Sequence, residues 1–596
     1  MRRAVLAAVG CGLMAAIAPG TAGAATESLV NVGSPPTPFP QNKQNEPSVA
    51  IDPTNPDVVI AGSNDEIDEP RCGGSDCPFA QGIGNSGVYF SFDGGTTWTQ
   101  PTYEGFSGRT GVGEGTSGCD GCGPGPIGTL PNYFENGLVS DGDPVVVWGP
   151  TPEENGEFDW ANGSRAYYAN LTSNFNTRRK DFTFKGFEAI AVSHTDDPEA
   201  AVAGDESAWS DPAIVTARNQ SSATFSDKED LTADNAESSP FFGNAYVCYS
   251  RFQSAGGEPV AIHVSTSRDG GDTWTKPHRL TASFNSPAQP GRQGCTIATD
   301  SEGVVYAIWE DTRKHQSVFV MARSFDGGVT WEKKPRVIAN VTDVGTFDGV
   351  RSISFDGIAG ARTSSFPSLD IANGTPSGED ATDTLAVGWS DGADGLNDEH
   401  ALVQLSDNQG VDWTDPVEVE EPGDRPDFAF ISIAPDGTDL YTVYDGFLDP
   451  FQDNTTDPRR FEGVVRHSDV AGTALSGTTT VHRGAVGDAR ASSANALIDE
   501  FIGDYNEVDS TNDGAVAVWN DARDGAVCDA INEFRQETVD EGSALGEEEA
   551  DERERKPRRH EPRQEEEGDI PAPATDCPAT FGNTDIWSGV IADPTP

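Results

Sequence analysis

The segment Ser91-Phe92-Asp93-Gly94-Gly95-Thr96-Thr97-Trp98 follows the pattern S-x-D-x-G-x-T-W and decides the fold. The pattern returns at residues 267–274 and 324–331, and residues 406–413 form a degenerate copy. Its Asp-Gly step supplies the positive-φ residue that a tight hairpin needs, and the carboxylate accepts backbone N–H groups across the turn. Each copy therefore predicts a turn between two antiparallel strands.

The conserved positions of this pattern are predicted to be structural. The Asp, Ser and Thr side chains bind local backbone groups, and the Trp brings a large apolar ring to pack between neighbouring units. The residues concerned are Asp93, Trp98, Asp269, Trp274, Asp326, Trp331 and Trp413.

Each turn closes a longer unit of short alternating strands. In the first unit, residues 47–52, 58–62 and 87–91 read as three strands that lead into the turn. Comparable units begin near residues 46, 143, 211, 294, 368, 427 and 504. Repeats of four antiparallel strands are typical of β-propeller blades. The fold class is therefore all-β, a propeller of seven four-stranded blades, or of six if two weak units merge. Residues 28–32 are expected to supply the missing outer strand of the last blade.

The turns resemble the Asp-boxes of bacterial sialidases and of the wider bacterial neuraminidase repeat families. This resemblance covers essentially all of residues 25–596 and implies a ligand site at one mouth of the central channel. In such a blade the Asp-box and the site lie on opposite faces. The mouth is thus expected to draw on Asp65, Asp311, Asp521 and the interblade loops, with at least four arginines.

A sialidase needs arginines for the sugar carboxylate, a Tyr–Glu nucleophile and an acid. The resemblance implies Arg292, Arg313, Arg425 and Arg523, with Asp521, for substrate binding. It implies Tyr505 with Glu500 or Glu507 as nucleophile, and Asp65 or Asp311 as acid. The arginine motif expected on the first strand is absent, because that place reads Asn45-Glu46-Pro47-Ser48. The alternative for each W-x-D-x-R stretch is a purely structural role, in which an Asp–Arg pair fixes a loop.

Composition and cysteine usage indicate an exported protein. Residues 1–24 combine a basic start, an apolar run and a small-residue cleavage site, as a signal peptide does. A formal charge of −58 argues against nucleic acid as a partner. No later stretch is apolar enough for a membrane span. In an oxidising compartment we expect disulfides rather than a metal site, within the group Cys72, Cys77, Cys119 and Cys122, and as the pairs Cys248 with Cys295 and Cys528 with Cys577.

Two insertions interrupt the blade pattern. Residues 104–130 are rich in glycine and read as a disulfide-stapled surface loop. Residues 535–570 are highly charged without apolar periodicity, and we expect a disordered or loosely helical insertion there.

The function expected from these features is that of a secreted, monomeric, sialidase-like glycoside hydrolase acting on extracellular glycans. The missing arginine motif makes true exo-sialidase activity the weaker expectation. The alternative is a non-catalytic propeller that binds glycans or proteins at the cell surface. No cofactor is expected. Structural calcium at Asp-rich turns such as residues 509–514 is an alternative, although ordinary hairpin chemistry explains those turns.

Overall fold

The computed structural model describes residues 26–595 apart from a few short segments. The gaps are residues 76, 116–117, 154, 177, 219–220, 254–259, 283–291, 314–315, 349–351, 356–357, 360–364 and 554–569. The predicted signal peptide lies outside the described residues. Within them, no helix is both long and apolar enough to cross a membrane.

Seven small antiparallel sheets are arranged as a β-propeller, and each is one blade. From the channel outwards their strands are: blade 1, Gln44–Ile51, Val59–Asp65 and Ser86–Ser91; blade 2, Val145–Pro150, Ser164–Asn174, Ala189–Thr195 and Ala213–Ile214; blade 3, Phe225–Ala233, Ala245–Phe252, Val260–Ser267 and His278–Arg279; blade 4, Arg292–Thr299, Val305–Arg313, Gln316–Ser324 and Arg336–Val341; blade 5, Ser368–Ile371, Leu385–Asp391, His400–Ser406 and Val417–Glu418; blade 6, Arg425–Ile433, Asp439–Phe447, Arg460–Ala471 and Ala474–Arg483; blade 7, Glu507–Thr511, Gly514–Asp521, Asp585–Ala592 and Thr26–Leu29.

The count of seven blades agrees with the sequence prediction, but one boundary was wrong. The third unit was expected to begin near residue 211, whereas the innermost strand of blade 3 begins at Phe225. Residues Ala213–Ile214 instead pair with Ala189–Thr195 as the outer strand of blade 2. A two-residue outer strand has too short a pattern to be distinguished from the start of the next unit.

The remaining elements lie between or beside the blades. Further strands are Tyr103–Ser107, Val112–Gly113, Cys119–Asp120, Gly123–Ile127, Leu138–Ser140, Thr346–Asp348, Ser352–Phe355, Ile358–Ala359 and Gly487–Asp488. The α-helices are Pro198–Val202, Asp529–Arg553 and Pro573–Asp576, and 3₁₀ turns occupy Glu66–Asp68, Phe134–Asn136, Trp160–Asn162, Arg179–Asp181, Glu206–Ala208 and Ala489–Ala491.

Both insertions contain regular secondary structure. The glycine-rich loop forms two small antiparallel pairs, Tyr103–Ser107 with Gly123–Ile127 and Val112–Gly113 with Cys119–Asp120. The charged insertion begins with the helix Asp529–Arg553, which starts six residues before the predicted boundary. Its Arg535 is completely buried and donates to the carbonyl oxygens of Leu497, Ser492 and Asp499.

Four disulfides are present, in the expected groups. They join Cys72 to Cys77, Cys119 to Cys122, Cys248 to Cys295, and Cys528 to Cys577. The third connects the second strand of blade 3 to the innermost strand of blade 4. The fourth closes the base of the charged insertion. This usage is compatible with an extracellular location.

The S-x-D-x-G-x-T-W segments form the turns that follow the third strands. Asp93 Oδ1 accepts from Thr97 N at 2.8 Å and from Ser91 Oγ at 2.9 Å, and Oδ2 accepts from Thr97 Oγ1 at 2.8 Å. Asp269 and Asp326 make the same bonds. Partial burial tends to raise the pKa of Asp93, but these hydrogen bonds outweigh it and lower the pKa.

The tryptophans of these segments pack against the preceding blade. Trp98 lies in a hydrophobic cluster with Val516 and Ile586 of blade 7, and its Nε1 donates to Ser588 Oγ at 2.9 Å. Trp274, Trp331 and Trp413 pack against the clusters between blades 2 and 3, 3 and 4, and 4 and 5. Each blade thus buries its faces only by contact with both neighbours.

The amino-terminal strand closes the ring. Thr26–Leu29 pairs antiparallel with Asp585–Ala592, and Val30 N donates to Ile586 O at 2.9 Å. Asn31 fixes this seam because its Nδ2 donates to Asp585 Oδ1 and Gln44 Oε1, while its Oδ1 accepts from Ile586 N at 2.6 Å. Asn31 therefore joins the two ends of the ring, blade 1 and blade 7.

We predict that Asn31→Ala lowers the free energy of unfolding by about 2 kcal/mol, because it leaves buried partners on both blades unsatisfied. Urea denaturation followed by tryptophan fluorescence measures this. Asn155→Ala, in an exposed turn, is the matched control and should cost less than about 0.5 kcal/mol. Equal losses for the two variants would contradict the assigned role of Asn31.

Candidate functional site

The innermost strands carry an unusual backbone feature at one common position. A non-extended residue with positive φ interrupts or precedes the strand in blades 1, 2, 3, 4 and 6: Glu46 (56°), Asp143 (51°), Lys228 (52°), Gly294 (62°) and Phe428 (53°). In four of these blades the pairing register shifts across it. Left-handed conformations cost free energy for residues other than glycine and are found at bulges beside functional sites.

This position lies at the mouth opposite the S-x-D-x-G-x-T-W turns. The bulges sit near the first residues of the innermost strands, whereas those turns follow the last residues of the third strands. Adjacent strands are antiparallel, so the two features are at opposite ends of a blade. Asp143, Lys228 and Gly294 of this set line the channel, so residues from three blades meet at this end of it.

The mouth is built around the ammonium group of Lys228. Its Nζ lies 2.5 Å from Asp504 Oδ2, 3.6 Å from Asp143 Oδ2, and 5.8 Å from the ring centroids of Tyr505 and Phe366. Burial alone would lower the pKa of Lys228, but the charges of Asp504 and Asp143 outweigh it and raise the pKa well above the usual value. Lys228 thus remains a fixed positive charge.

Glu46 is held in place by amide groups and faces Asp143. Its Oε2 accepts from Asn64 Nδ2 at 2.6 Å, and its backbone N–H donates to Asn520 Oδ1 at 2.8 Å. The side chain is 2% exposed. Burial, and then the negative charges of Asp143 and Asp504, raise the pKa of Glu46 well above its usual value. Its surroundings therefore favour the protonated form of Glu46.

Glu229, next to Lys228 in the chain, is a second buried acid. It is 7% exposed, and in the described part of the chain neither of its carboxyl oxygens has a hydrogen-bond partner. Burial, followed by the charges of Asp143 and Asp227, raises the pKa of Glu229 well above its usual value. A buried acid on the channel wall with a raised pKa is a candidate proton donor.

Tyr505 completes the mouth from blade 7. Its ring lies 6.2 Å from that of Phe430, and its carbonyl oxygen accepts from Asn520 Nδ2 at 2.8 Å. Burial, and then the charges of Asp143 and Glu46, raise the pKa of Tyr505 well above its usual value. The phenol therefore keeps its proton unless a neighbouring carboxylate accepts it.

Below the mouth, the innermost strands of all seven blades enclose a cavity of about 430 Å³. Carboxyl groups in its wall accept N–H groups from the next blade's innermost strand. Asp230 binds Ile297 N, Asp370 binds Ile433 N, Glu507 binds Val49 N and Asp509 binds Ile51 N, at 2.7–3.0 Å. These bonds satisfy strand edges that no further strand covers.

The structure disperses the acids that the sequence suggested. Tyr505 is at the mouth, and Glu507 lies in the channel wall. Glu500 instead lies 3.3 Å from the guanidinium of Arg535, with both groups buried. Asp65 accepts from Gln44, Tyr89, Gln100 and Ile67, which makes it the centre of a buried network in blade 1. Asp311 lies between Arg292, at 3.7 Å, and Arg313, at 3.3 Å.

The suggested arginines likewise bind carboxylates within the fold. Arg425 donates to both carboxylate oxygens of Glu399. Arg523 donates to Asp521, pairs with Glu27 of the closing strand and stacks at 4.0 Å on Trp587. Among the described residues that line the channel, Lys228 carries the only positive charge. The structure therefore contains the loop-fixing Asp–Arg pairs that the sequence offered as the alternative to a substrate site.

The sequence reasoning missed Glu46, Asp143, Lys228 and Glu229. A signal was present, because Glu46-Pro47, Asp143-Pro144 and Phe366-Pro367 stand at the same place in three blades. In blades 1 and 2 this proline directly follows the positive-φ residue at the start of the innermost strand. Asn45-Glu46-Pro47-Ser48 was read only for its missing arginine, although its glutamate reaches the mouth.

Comparison with known proteins adds little to this description. No family model matches the chain, and no curated protein matches it. Similar solved structures include the Hadza microbial sialidase Hz136 (13% identity, 62% of each chain covered, TM-score 0.35) and a Trypanosoma rangeli sialidase in complex with the inhibitor DANA (11%, 71% of this chain and 58% of that one, 0.36). A PL25 ulvan lyase is similar over 81% of this chain and 92% of its own (10%, 0.40). Likenesses this weak bear on neither reaction nor substrate.

The channel carboxyls predict that stability falls as pH rises. Burial raises the pKa of Asp370 to about 6, of Asp509 to about 7 and of Glu507 to about 8, against about 4 in the unfolded chain. The folded state therefore binds more protons between pH 4 and 8, and its stability is lost across that window. We expect Tm to decrease from pH 5 to 8.5.

Differential scanning calorimetry of Glu507→Gln and Asp509→Asn tests this assignment. Each amide keeps an oxygen for the N–H of blade 1 but cannot ionise, so the decline of Tm with pH should become shallower. Asp380→Asn, at an exposed position, should follow the unchanged chain. A slope unaffected by either channel substitution would show that other groups cause the pH dependence.

Proposed function

We propose that this protein is a glycan-acting propeller of the glycoside hydrolase type, with its site at the channel mouth around Tyr505. The observation that carries the proposal is the convergence of Tyr505 with two buried acids, Glu46 and Glu229, and with the ion pair of Lys228 and Asp504. Glycosidic bond cleavage requires an acid that is protonated at working pH and a second group that attacks or activates water. The resemblance of the turns to Asp-boxes supports the same class.

In the proposed reaction, Glu229 donates its proton to the leaving glycosidic oxygen as the bond to the anomeric carbon breaks. The Tyr505 oxygen bonds to that carbon while its proton passes to Asp143. Water then displaces the tyrosine oxygen, Glu229 accepts a proton from this water, and Asp143 returns the proton to Tyr505. Lys228 stabilises the negative charge at Asp143 and Asp504, and Glu46 remains protonated beside them.

The charge of the mouth favours neutral sugars over sialosides. A sialic acid carboxylate would meet the negative charges of Asp143 and Asp504, whereas the one cation lining the described channel is already paired. An anionic ligand in this place is repelled and gains no bidentate arginine contact. We therefore propose neutral extracellular glycans as substrates, and exo-sialidase activity as the minor alternative.

A non-catalytic binding function is the second candidate. It is favoured by the close pairing of Lys228 with Asp504, which satisfies the cation before any ligand arrives. In that case the mouth recognises a glycan through hydrogen bonds and the rings of Tyr505 and Phe366, without turnover. We propose that the protein is exported from the cell whether it is a hydrolase or a binding protein. This proposal is supported by the signal-like residues 1–24 and by the disulfides.

A panel of neutral aryl glycosides and fluorogenic sialosides tests the proposal. We predict turnover of at least one neutral glycoside, and a loss of kcat/KM of about 10²-fold or more in Tyr505→Phe and in Glu229→Gln. Thermal unfolding of each variant verifies the fold.

Tyr167→Phe is the matched control. Tyr167 contacts Gly271 of a turn on the opposite face, so its variant should retain full activity. Glycan binding without hydrolysis of any substrate would replace the enzyme with the binding function. Turnover confined to sialosides would overturn the substrate class.

A further inference from the structure

A second group of convergent donors lies between blades 6 and 7, on the face opposite the channel mouth. Asp439 begins the second strand of blade 6, His467 belongs to its third strand, and Asp593 follows the third strand of blade 7. Each offers a ligand atom, and these atoms lie within 4.8 Å of one another. The proposed glycan site has no part in this group.

The strand register explains why these residues meet. Tyr441 and His467 are directly paired across the strands, so their side chains share one face of the sheet. Asp439 is two residues before Tyr441 and therefore on the same face. His467 Nε2 lies 2.7 Å from Asp439 Oδ1, and the Tyr441 and His467 rings are 5.2 Å apart.

Tyr441 supplies an independent indication that the group lacks a ligand. Tyr441 is fully buried, and its hydroxyl has no hydrogen-bond partner within the described ranges. Burial, and then the charges of Asp439 and Asp593, raise the pKa of Tyr441, whose side chain shares the sheet face of His467 and Asp439. A buried, unsatisfied phenol among three ligand-type groups is costly unless something binds there.

We propose that Asp439, His467 and Asp593 bind a divalent first-row transition ion such as Zn²⁺, with the Tyr441 hydroxyl as the fourth ligand. One imidazole nitrogen with carboxylate and phenol oxygens suits Zn²⁺ or Mn²⁺, whereas Ca²⁺ prefers oxygen ligands alone. His467 is 1% exposed, while Asp593 is partly exposed and gives solvent access to the group.

Binding here would have a structural consequence. Asp593 lies directly after the strand that pairs with the closing strand Thr26–Leu29, and its N–H donates to Asp513 O at 2.9 Å. An ion shared with Asp439 and His467 would tie this end of blade 7 to blade 6. The site would thus strengthen the interface between blades 6 and 7, next to the strand pair that closes the ring.

The test uses the full chain stripped of metal with a chelator and then titrated with Zn²⁺. We expect one tightly bound ion by equilibrium dialysis with elemental analysis, and a rise in Tm of about 3 °C or more. Ca²⁺ should not reproduce the rise. His467→Gln and Asp593→Asn should each abolish binding of this ion and the rise in Tm. Tyr441→Phe should weaken the affinity for Zn²⁺.

His400→Gln is the matched control, because His400 also has acidic neighbours but lies in a more exposed cluster. Asp593→Asn is the substitution least able to disturb folding, since Asp593 is at the surface edge. Absence of a bound ion overturns the proposal. So does a Zn²⁺ effect that disappears in His400→Gln and persists in both Asp593→Asn and His467→Gln.

Discussion

The pairing of Thr26–Leu29 with Asp585–Ala592 is the interaction on which the rest of the molecule depends. No blade buries its two faces alone, so every blade needs a neighbour on each side, and the first and last blades obtain theirs only when the ring closes. Hydrophobic clusters fill all seven interfaces between blades. Closure also removes an exposed sheet edge and fixes the distances across the channel.

Ring closure creates the electrostatic character of the channel. Seven innermost strands face one another across a narrow space, and their free edges are satisfied by carboxyl groups that bind N–H groups of the next strand. Burial raises the pKa of these carboxyls and of the acids at the mouth above their usual values. One lysine, Lys228, lies next to two of the mouth acids, Asp143 and Asp504. Buried acids with raised pKa values are therefore gathered at one mouth of the channel, and such groups often mark functional sites.

The two faces of the propeller differ in their energetics, because one carries stabilising turns and the other carries strained bulges. On one face, the S-x-D-x-G-x-T-W turns use their carboxylates in short-range hydrogen bonds and gain stability from them. On the other, bulges in the innermost strands hold charged residues in left-handed conformations that cost free energy. Such strain persists only where surrounding contacts fix it. Asn64 and Asn520 provide these contacts for Glu46.

The sequence by itself determined the blade architecture, because turn chemistry and strand alternation are local properties that short stretches encode completely. It also predicted the closing strand, the disulfide groups and Tyr505 as a residue of the mouth. The partners of Tyr505 could not be read from it. Glu46, Asp143, Lys228 and Glu229 are separated by up to about 180 residues and meet only because consecutive blades bring equivalent bulges to one rim. Equally, the sequence offered Arg425 and Arg523 as arginines that could bind a substrate carboxylate. Only the tertiary structure shows that they are paired with Glu399 and Asp521 instead. Local patterns set the fold, whereas the pairing of charges depends on distances that exist only once the ring has closed.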